Sequence, residues 1–176
     1  MNQIAKEWQD YEVIDTGNKE KLERWNQTIL RRPDPVAIWP IEDERAWNKA
    51  DAVYHRSKSG GGHWEMKKPI KEFWTIGYKG LRFKISPTGF KHTGLFPEQA
   101  SNWDFMANKI KESKRDDLRI LNLFAYTGGA TMACSKLERK KLCMLMLQKV
   151  WLVGQKKMQP HQALQTNLCV GLLTIV

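Results

Sequence analysis

The segment "RILNLFAYTGGATMACSKLERKKLCMLMLQKV", Arg119 to Val150, decides how this chain is read. Its first half is a strand-like apolar run, "LRILNLFAY", followed by the pair Gly128-Gly129 and a helix-forming segment, "ATMACSK". A hydrophobic strand, a glycine turn and a helix make a nucleoside-binding corner for physical reasons. Glycine lets the backbone approach a ligand closely, and the start of a helix offers N–H groups that have no partner within the helix. Strand followed by Gly-Gly is by itself an ordinary connection, so the surrounding sequence must carry the rest of the argument. The GxGxxG phosphate fingerprint of dinucleotide-binding enzymes is absent, which disfavours a nucleotide-dependent oxidoreductase.

Outward from this corner, "FPEQASNWDFMANKIKES" predicts a helix with Pro97 in its first turn, Glu98 beside it and Trp103, Met106 and Ile110 at helical spacing. "EFWTIGYKGLRFKISPTGFKHTGLF" predicts two or three strands with alternating aromatics and a turn at Tyr78-Lys79-Gly80. "SKSGGGHW", residues 57–64, reads as a flexible loop, and "ERAWNKADAVYHR" as a short helix or irregular segment. Strands are expected near residues 11–15, 20–25 and 27–32. The aromatics at 73–83 read as core and sheet-face residues, and Arg31-Arg32 and Lys67-Lys68 as solvated charge.

The composition, 41% hydrophobic with eight Trp, is that of a core-forming chain. There is no apolar run of membrane-spanning length and no signal-peptide core at the N-terminus, so a cytoplasmic protein without a membrane partner is expected. Cys134, Cys143 and Cys169 form no CxxC pair and the four histidines are scattered, which speaks against a zinc site or a disulfide framework. The net charge of +10 favours an anionic partner such as RNA. That charge is uneven. Residues 1–136 hold 23 Lys+Arg against 18 Asp+Glu, whereas the last 40 hold six against one, with no Asp at all.

"FKHTGLFPEQASNWDFM" followed by "ILNLFAYTGGATMACSK" resembles the class I S-adenosylmethionine-dependent methyltransferases of the bacterial ribosomal-RNA (cytosine-C5-type) group. "YEVIDTGNKEKLERWNQTILRRPDPVAIWP" is similar to that group's N-terminal segment, so the likeness runs from Tyr11 to about Lys136. It implies an α/β fold: a small β-rich N-terminal domain (1–90), the start of a Rossmann-like cofactor domain (91–136), and a tail (137–176). By the same likeness, Phe124, Ala125, Tyr126, Thr127, Gly128 and Gly129 form the wall of the methionine and ribose site. Phe96 and Gln99 border the pocket, and core packing for Phe96 or an exposed helix position for Gln99 would account for each equally well. Ribosomal RNA is the favoured substrate, and a non-catalytic RNA-binding module is the alternative.

The resemblance stops at Lys136. Such a fold requires a second strand that ends in an acidic residue for the ribose hydroxyls, and the group's substrate-side motif looks like Asp-Pro-Pro. Beyond Lys136 the chain has only Glu138 and neither feature. A tail read one base out of frame accounts for this. Shifted back by one base, Cys143-Met144 gives only His or Tyr; Met144-Leu145, Met146-Leu147 and Trp151-Leu152 give Val or Ala. Lys157-Met158 gives Asn or Asp, and Met158-Gln159 gives Ala. All six restricted positions agree with a string reading "HVDASKGMVSWAKKNA", which looks like the missing strand, its Asp and the following helix. The expectation is therefore a truncated cofactor site, weak cofactor binding, no methyl transfer and a tail that is irregular or poorly determined.

Overall fold

The computed structural model describes residues 4–89, 91–115, 117–122 and 126–136, together with the backbone of strands at 142–147 and 168–173. The chain divides into two compact units at Pro97/Glu98.

The first unit, Ile4–Pro97, is built on a five-stranded sheet in sequential order. Its strands are β1 (Tyr11–Gly17), β2 (Glu20–Trp25), β3 (Thr28–Pro33), β4 (Ala52–Arg56) and β5 (Gly62–Met66). Pairing is antiparallel except between β3 and β4, which run parallel because α1 (Glu44–Trp47) and its flanking loops carry the chain across. Asp43 caps α1 by accepting from the Arg45 N–H. The Trp47 indole N–H donates to Asp15 at 2.7 Å, and the Glu42 N–H donates to the same carboxylate, tying this crossover to β1. On that face of the sheet Leu22, Trp47, Ala50 and Val53 form a buried cluster with Ile29, Ile41 and Ala46 packed around it.

A separate hairpin, β6 (Trp74–Tyr78) and β7 (Leu81–Ile85), completes the unit. Lys79 and Gly80 both have positive φ, 46° and 76°, the pattern of a type I′ turn whose twist matches the flanking strands. The turn expected at Tyr78-Lys79-Gly80 is therefore present. Alternation follows the pleat: Trp74, Ile76, Tyr78, Leu81 and Ile85 are buried, while Thr75, Arg82 and Lys84 are exposed. The sheet and the segment after the hairpin are fastened by long-range bonds. The Tyr54 hydroxyl donates to the Gly89 carbonyl, the Trp64 indole N–H to Thr88, and Arg32 Nη1 to Lys91.

Three sequence expectations are corrected here. "AVYHR" is strand β4 rather than helix or coil, and residues 62–64 belong to β5, so the glycine-rich loop contracts to the hairpin connection at 57–61. The apolar residues Ala52, Val53 and Tyr54 find sheet partners that outweigh any local preference. Arg32 is not solvated charge either. It is 5% exposed and forms a fork with the fully buried Glu23, with Nε–Oε2 at 2.6 Å and Nη2–Oε1 at 2.8 Å. The Tyr11 hydroxyl donates to Glu23 Oε1 at 2.7 Å, and Lys21 approaches it at 3.3 Å. Arg31 instead pairs with Glu20, and Lys68 with Asp51.

The second unit contains a 3-10 turn (Pro97 entering from the first unit, then Glu98 and Gln99), α2 (Ala100–Glu112), β8 (Leu118–Asn122), α3 (Gly129–Ser135), β9 (Leu142–Leu147) and β10 (Leu168–Leu173). Its three strands are parallel and ordered β10-β9-β8, so β8-α3-β9 is a crossover unit and the strand order runs outward as in one half of a doubly wound sheet. Of the tail, expected to be irregular or poorly determined, the described stretches 142–147 and 168–173 are strands, and the rest lies outside the described residues. Their sequences, "LCMLML" and "LCVGLL", are the continuous apolar runs that parallel sheets accept. Helices α2 and α3 pack together, and Ile110 and Cys134 form a buried cluster with Met106, Leu118 and Ile120. The strand at β8 is only half-buried, because Arg119 and Leu121 point to its open face.

Two outcomes are expected from this packing. Glu23→Gln leaves Arg32 buried beside a neutral partner and should cost about 3 kcal/mol of stability in urea titrations; a cost below about 1 kcal/mol would mean that the fork is not integral to the unit. Burial pushes the Glu23 carboxyl up, but the charge and hydrogen bonds of Arg32, with Lys21 and Tyr11, outweigh it and hold it below its usual value. A carboxylate with a depressed folded value stabilises the fold fully above its unfolded pKa and loses that contribution as pH falls through the folded one. Wild type should therefore lose stability on acidification below the usual glutamate range, and Glu23→Gln should lose less over the same interval. In the second unit, a Cβ on Gly129 would stand 2.8 Å from Trp103 Cζ2, an indole only 4% exposed. Gly129→Ala should lower stability by about 2 kcal/mol through overpacking, and an unchanged melting temperature would show that the indole yields.

Candidate cofactor site

The corner identified in the sequence is assembled in the second unit from the C-terminal end of β8 and the start of α3. Two of its predicted residues, Phe124 and Ala125, lie outside the described residues. Of the rest, Tyr126 is exposed and adopts a left-handed backbone conformation, φ 47°. That conformation is costly for a bulky residue and concentrates at ligand-binding and catalytic turns. Thr127 and Gly128 are half-buried, and Gly128, at φ 91°, is the N-cap of α3 with no side chain to supply a cap. Left-handed geometry at that point explains the first glycine of the pair, and the approach of Trp103 explains the second. Both glycines are therefore required by geometry rather than by flexibility.

The turn is braced by residues that the sequence reading did not select. Asn122, the last residue of β8, donates from Nδ2 to Thr131 Oγ1 in α3 at 3.2 Å. Thr131 is 6% exposed, and its carbonyl accepts from the Ser135 hydroxyl at 2.7 Å. An Asn interrupting the apolar run "RILNLF" was the available signal, since a polar side chain there must find a partner when it is covered. Trp103 was legible only as one apolar helix position among three.

Gln99 is exposed; its Oε1 accepts from Asn102 Nδ2 at 2.9 Å, and it gives α2 no side-chain cap bond. Phe96 is half-buried and meets His92 edge-on at 5.2 Å within the first unit, whereas Gln99 and the glycine turn belong to the second. The chemistry visible at the corner is that of binding. Burial pushes the Cys134 thiol up to about 11, which removes it as a nucleophile. Strand β9 stands in parallel register beside β8, where the fold calls for the ribose acid, but it is spelled Leu142 to Leu147 and followed by Gln148. The described residues contain no group of three His, Cys, Asp or Glu able to hold a metal, and no helix long and apolar enough to cross a membrane.

No family model matches the chain. Curated relatives named ribosomal RNA large subunit methyltransferase K/L match parts of it. The protein of Allochromatium vinosum is 32% identical over 81 residues, 46% of this chain and 10% of the relative. That of Magnetococcus marinus is 27% identical over 100 residues, 57% and 11%. That of Shewanella baltica is 28% identical over 110 residues, 62% and 14%. The chain thus spans only a small part of the length of these relatives. Among solved structures, a SAM-dependent methyltransferase from Agrobacterium tumefaciens superposes with a TM-score of 0.71 at 32% identity, covering 81% of this chain and 45% of that one. A Streptococcus mutans structure assigned to the same class, at 11% identity and TM-score 0.63, covers 98% of this chain and 47% of its own, and shows the fold alone. Sequence and fold together support a likeness of this chain to the class I S-adenosylmethionine-dependent methyltransferases.

Proposed function

We propose that the chain carries the front half of a cofactor site for S-adenosylmethionine, in a cytoplasmic methyltransferase lineage that acts on RNA, with ribosomal RNA favoured. The observation that carries this reading is the β8-α3-β9 crossover, with Gly128 in left-handed conformation at its turn, in a chain 32% identical to a methyltransferase of known structure. A solved structure of the same fold holds SAH, the demethylated form of the cofactor. In this chain Tyr126, Thr127, Gly128 and Gly129 would line the methionine and nucleoside side, with Phe124 and Ala125 before them in the sequence and Gln99 at the border. The cofactor, when bound, supplies an electrophilic sulfonium methyl group, and the chain's part is to position it.

The residues present fit that group on one side only. A carboxylate accepting from ribose hydroxyls contributes about 1.5–3 kcal/mol, ten- to a hundredfold in affinity, and β9 as spelled offers none. The proposal is therefore that the chain as written binds the cofactor weakly and transfers no methyl group. The base-shifted tail explains why β9 lacks its acid. A non-catalytic RNA-binding module is the second reading, favoured by the compactness of Ile4–Pro97 as a unit by itself.

Calorimetry with S-adenosylmethionine should give a dissociation constant weaker than about 100 μM; low-micromolar binding would overturn the half-site. Sequencing the gene across codon 136 should show an open frame one base back, and the protein made from that frame should bind at least about tenfold tighter. An early stop in that frame would end the frameshift explanation.

A further inference from the structure

Charge in the first unit is divided along the chain in a way that the fold turns into a surface. Residues 4–54 hold eight Lys+Arg against eleven Asp+Glu, whereas residues 55–97 hold nine against two. Within the basic part, Lys68 pairs with Asp51 and Lys79 with Glu7. Arg56, Lys58, Lys67, Lys71, Arg82 and Lys84 are exposed and enter none of the ion pairs among the described residues.

The outer face of the β6-β7 hairpin concentrates this charge. Thr75 pairs with Lys84 and Gly77 with Arg82, so both cations stand on one face, two residues apart along β7. Phe73, just before β6, is 48% exposed, and the Lys84 ammonium lies 3.8 Å from its ring centroid. Lys71 precedes it by two residues, and Glu72 is the one carboxylate in this stretch. The opposite face of the hairpin is buried through Trp74, Ile76, Tyr78 and Ile85. The platform is therefore seated on the core. Its open strand edge is closed as well: Asp10 accepts from the Gly77 N–H at 2.8 Å, and Asn26 reaches the Thr75 carbonyl. Those contacts remove the edge as a site for strand addition and leave the face as the accessible feature.

We infer that this face, Phe73, Arg82 and Lys84, with the exposed Lys71 two residues before Phe73 in the sequence, binds single-stranded RNA, with the three cations on phosphates and the Phe73 ring against a base. Exposed aromatic surface beside unpaired cations suits a base and its phosphates, whereas an acidic protein segment would leave the ring unused. This deepens the RNA-methyltransferase reading by naming a substrate-contact surface, and it rests on that reading for the identity of the ligand.

The test uses the full chain and a labelled single-stranded RNA of mixed sequence, about 12 nucleotides long. Binding should weaken with salt, and the triple variant Lys71→Gln/Arg82→Gln/Lys84→Gln should flatten the log–log salt slope by about two, near 0.7 per lost phosphate contact. Phe73→Ala should weaken binding about tenfold. Arg45→Gln/Lys49→Gln, two exposed cations in the acidic part of the unit, should bind as wild type. Melting curves of each variant exclude unfolding as the cause. Binding within twofold of wild type in the triple variant would overturn the proposal, as would a preference for poly-glutamate over the RNA. Cofactor calorimetry on the same samples separates the two claims. Lost RNA binding with cofactor binding unchanged supports the RNA face, and that face stands even if no cofactor binds at all. Retained RNA binding in the triple variant overturns it whatever the cofactor does.

Discussion

The buried fork between Glu23 and Arg32 is the constraint on which the first unit depends. Two charges withdrawn from water cost several kcal/mol each unless their hydrogen-bonding capacity is filled. Here it is largely filled. Glu23 accepts from both arms of the guanidinium and from the Tyr11 hydroxyl, while the remaining arm of Arg32 donates to the Lys91 carbonyl. The Trp25 ring lies 5.3 Å from the guanidinium carbon. One pair therefore joins β1, β2 and β3 to the segment that returns after the β6-β7 hairpin. A hydrophobic pair could fill the same volume, but it would not specify which backbone carbonyl the returning segment must present.

In the second unit the corresponding constraint is steric. Strand β8 ends in Asn122, which holds Thr131, and α3 begins at two glycines whose reasons differ. Gly128 answers to its dihedral angle and Gly129 to Trp103 on α2. Both ends of the connection are therefore held by side chains of the unit itself, Asn122 to Thr131 and Gly129 against Trp103. The missing element is chemical rather than architectural: β9 is in register beside β8, but its residues offer no carboxylate.

How much of this was legible follows from the range of the interactions. The type I′ turn at Lys79-Gly80, the helix entered at Pro97 and the strand–glycine–helix corner depend on neighbours a few residues away. Strand β4 was missed because "AVYHR" directly follows a helix-like segment, and its partners are β3 and β5, up to some twenty residues distant. Arg32 was misjudged for a related reason. "RR" next to Pro looks solvated, and nothing local shows that Arg32 is buried on one face of the sheet while Arg31 lies half-buried over Trp47 on the other, as the pleat requires. In the tail, the described stretches 142–147 and 168–173 are strands. An apolar run can pair as a strand whatever the history of its coding sequence.

By itself, the sequence determined the class of the fold, the place of the glycine corner and the lack of an acid in the 142–148 segment that follows it. The first came through the family resemblance of the quoted segments, and the other two are matters of short-range pattern. Only the tertiary structure decided that Arg32 is buried, that Gly129 is held by Trp103, and that Asn122 reaches Thr131. It also gathered Phe73, Arg82 and Lys84 onto one face. The physical reason is the same throughout: burial and side-chain pairing are set by residues distant in the chain, and a linear pattern cannot say which of them will meet.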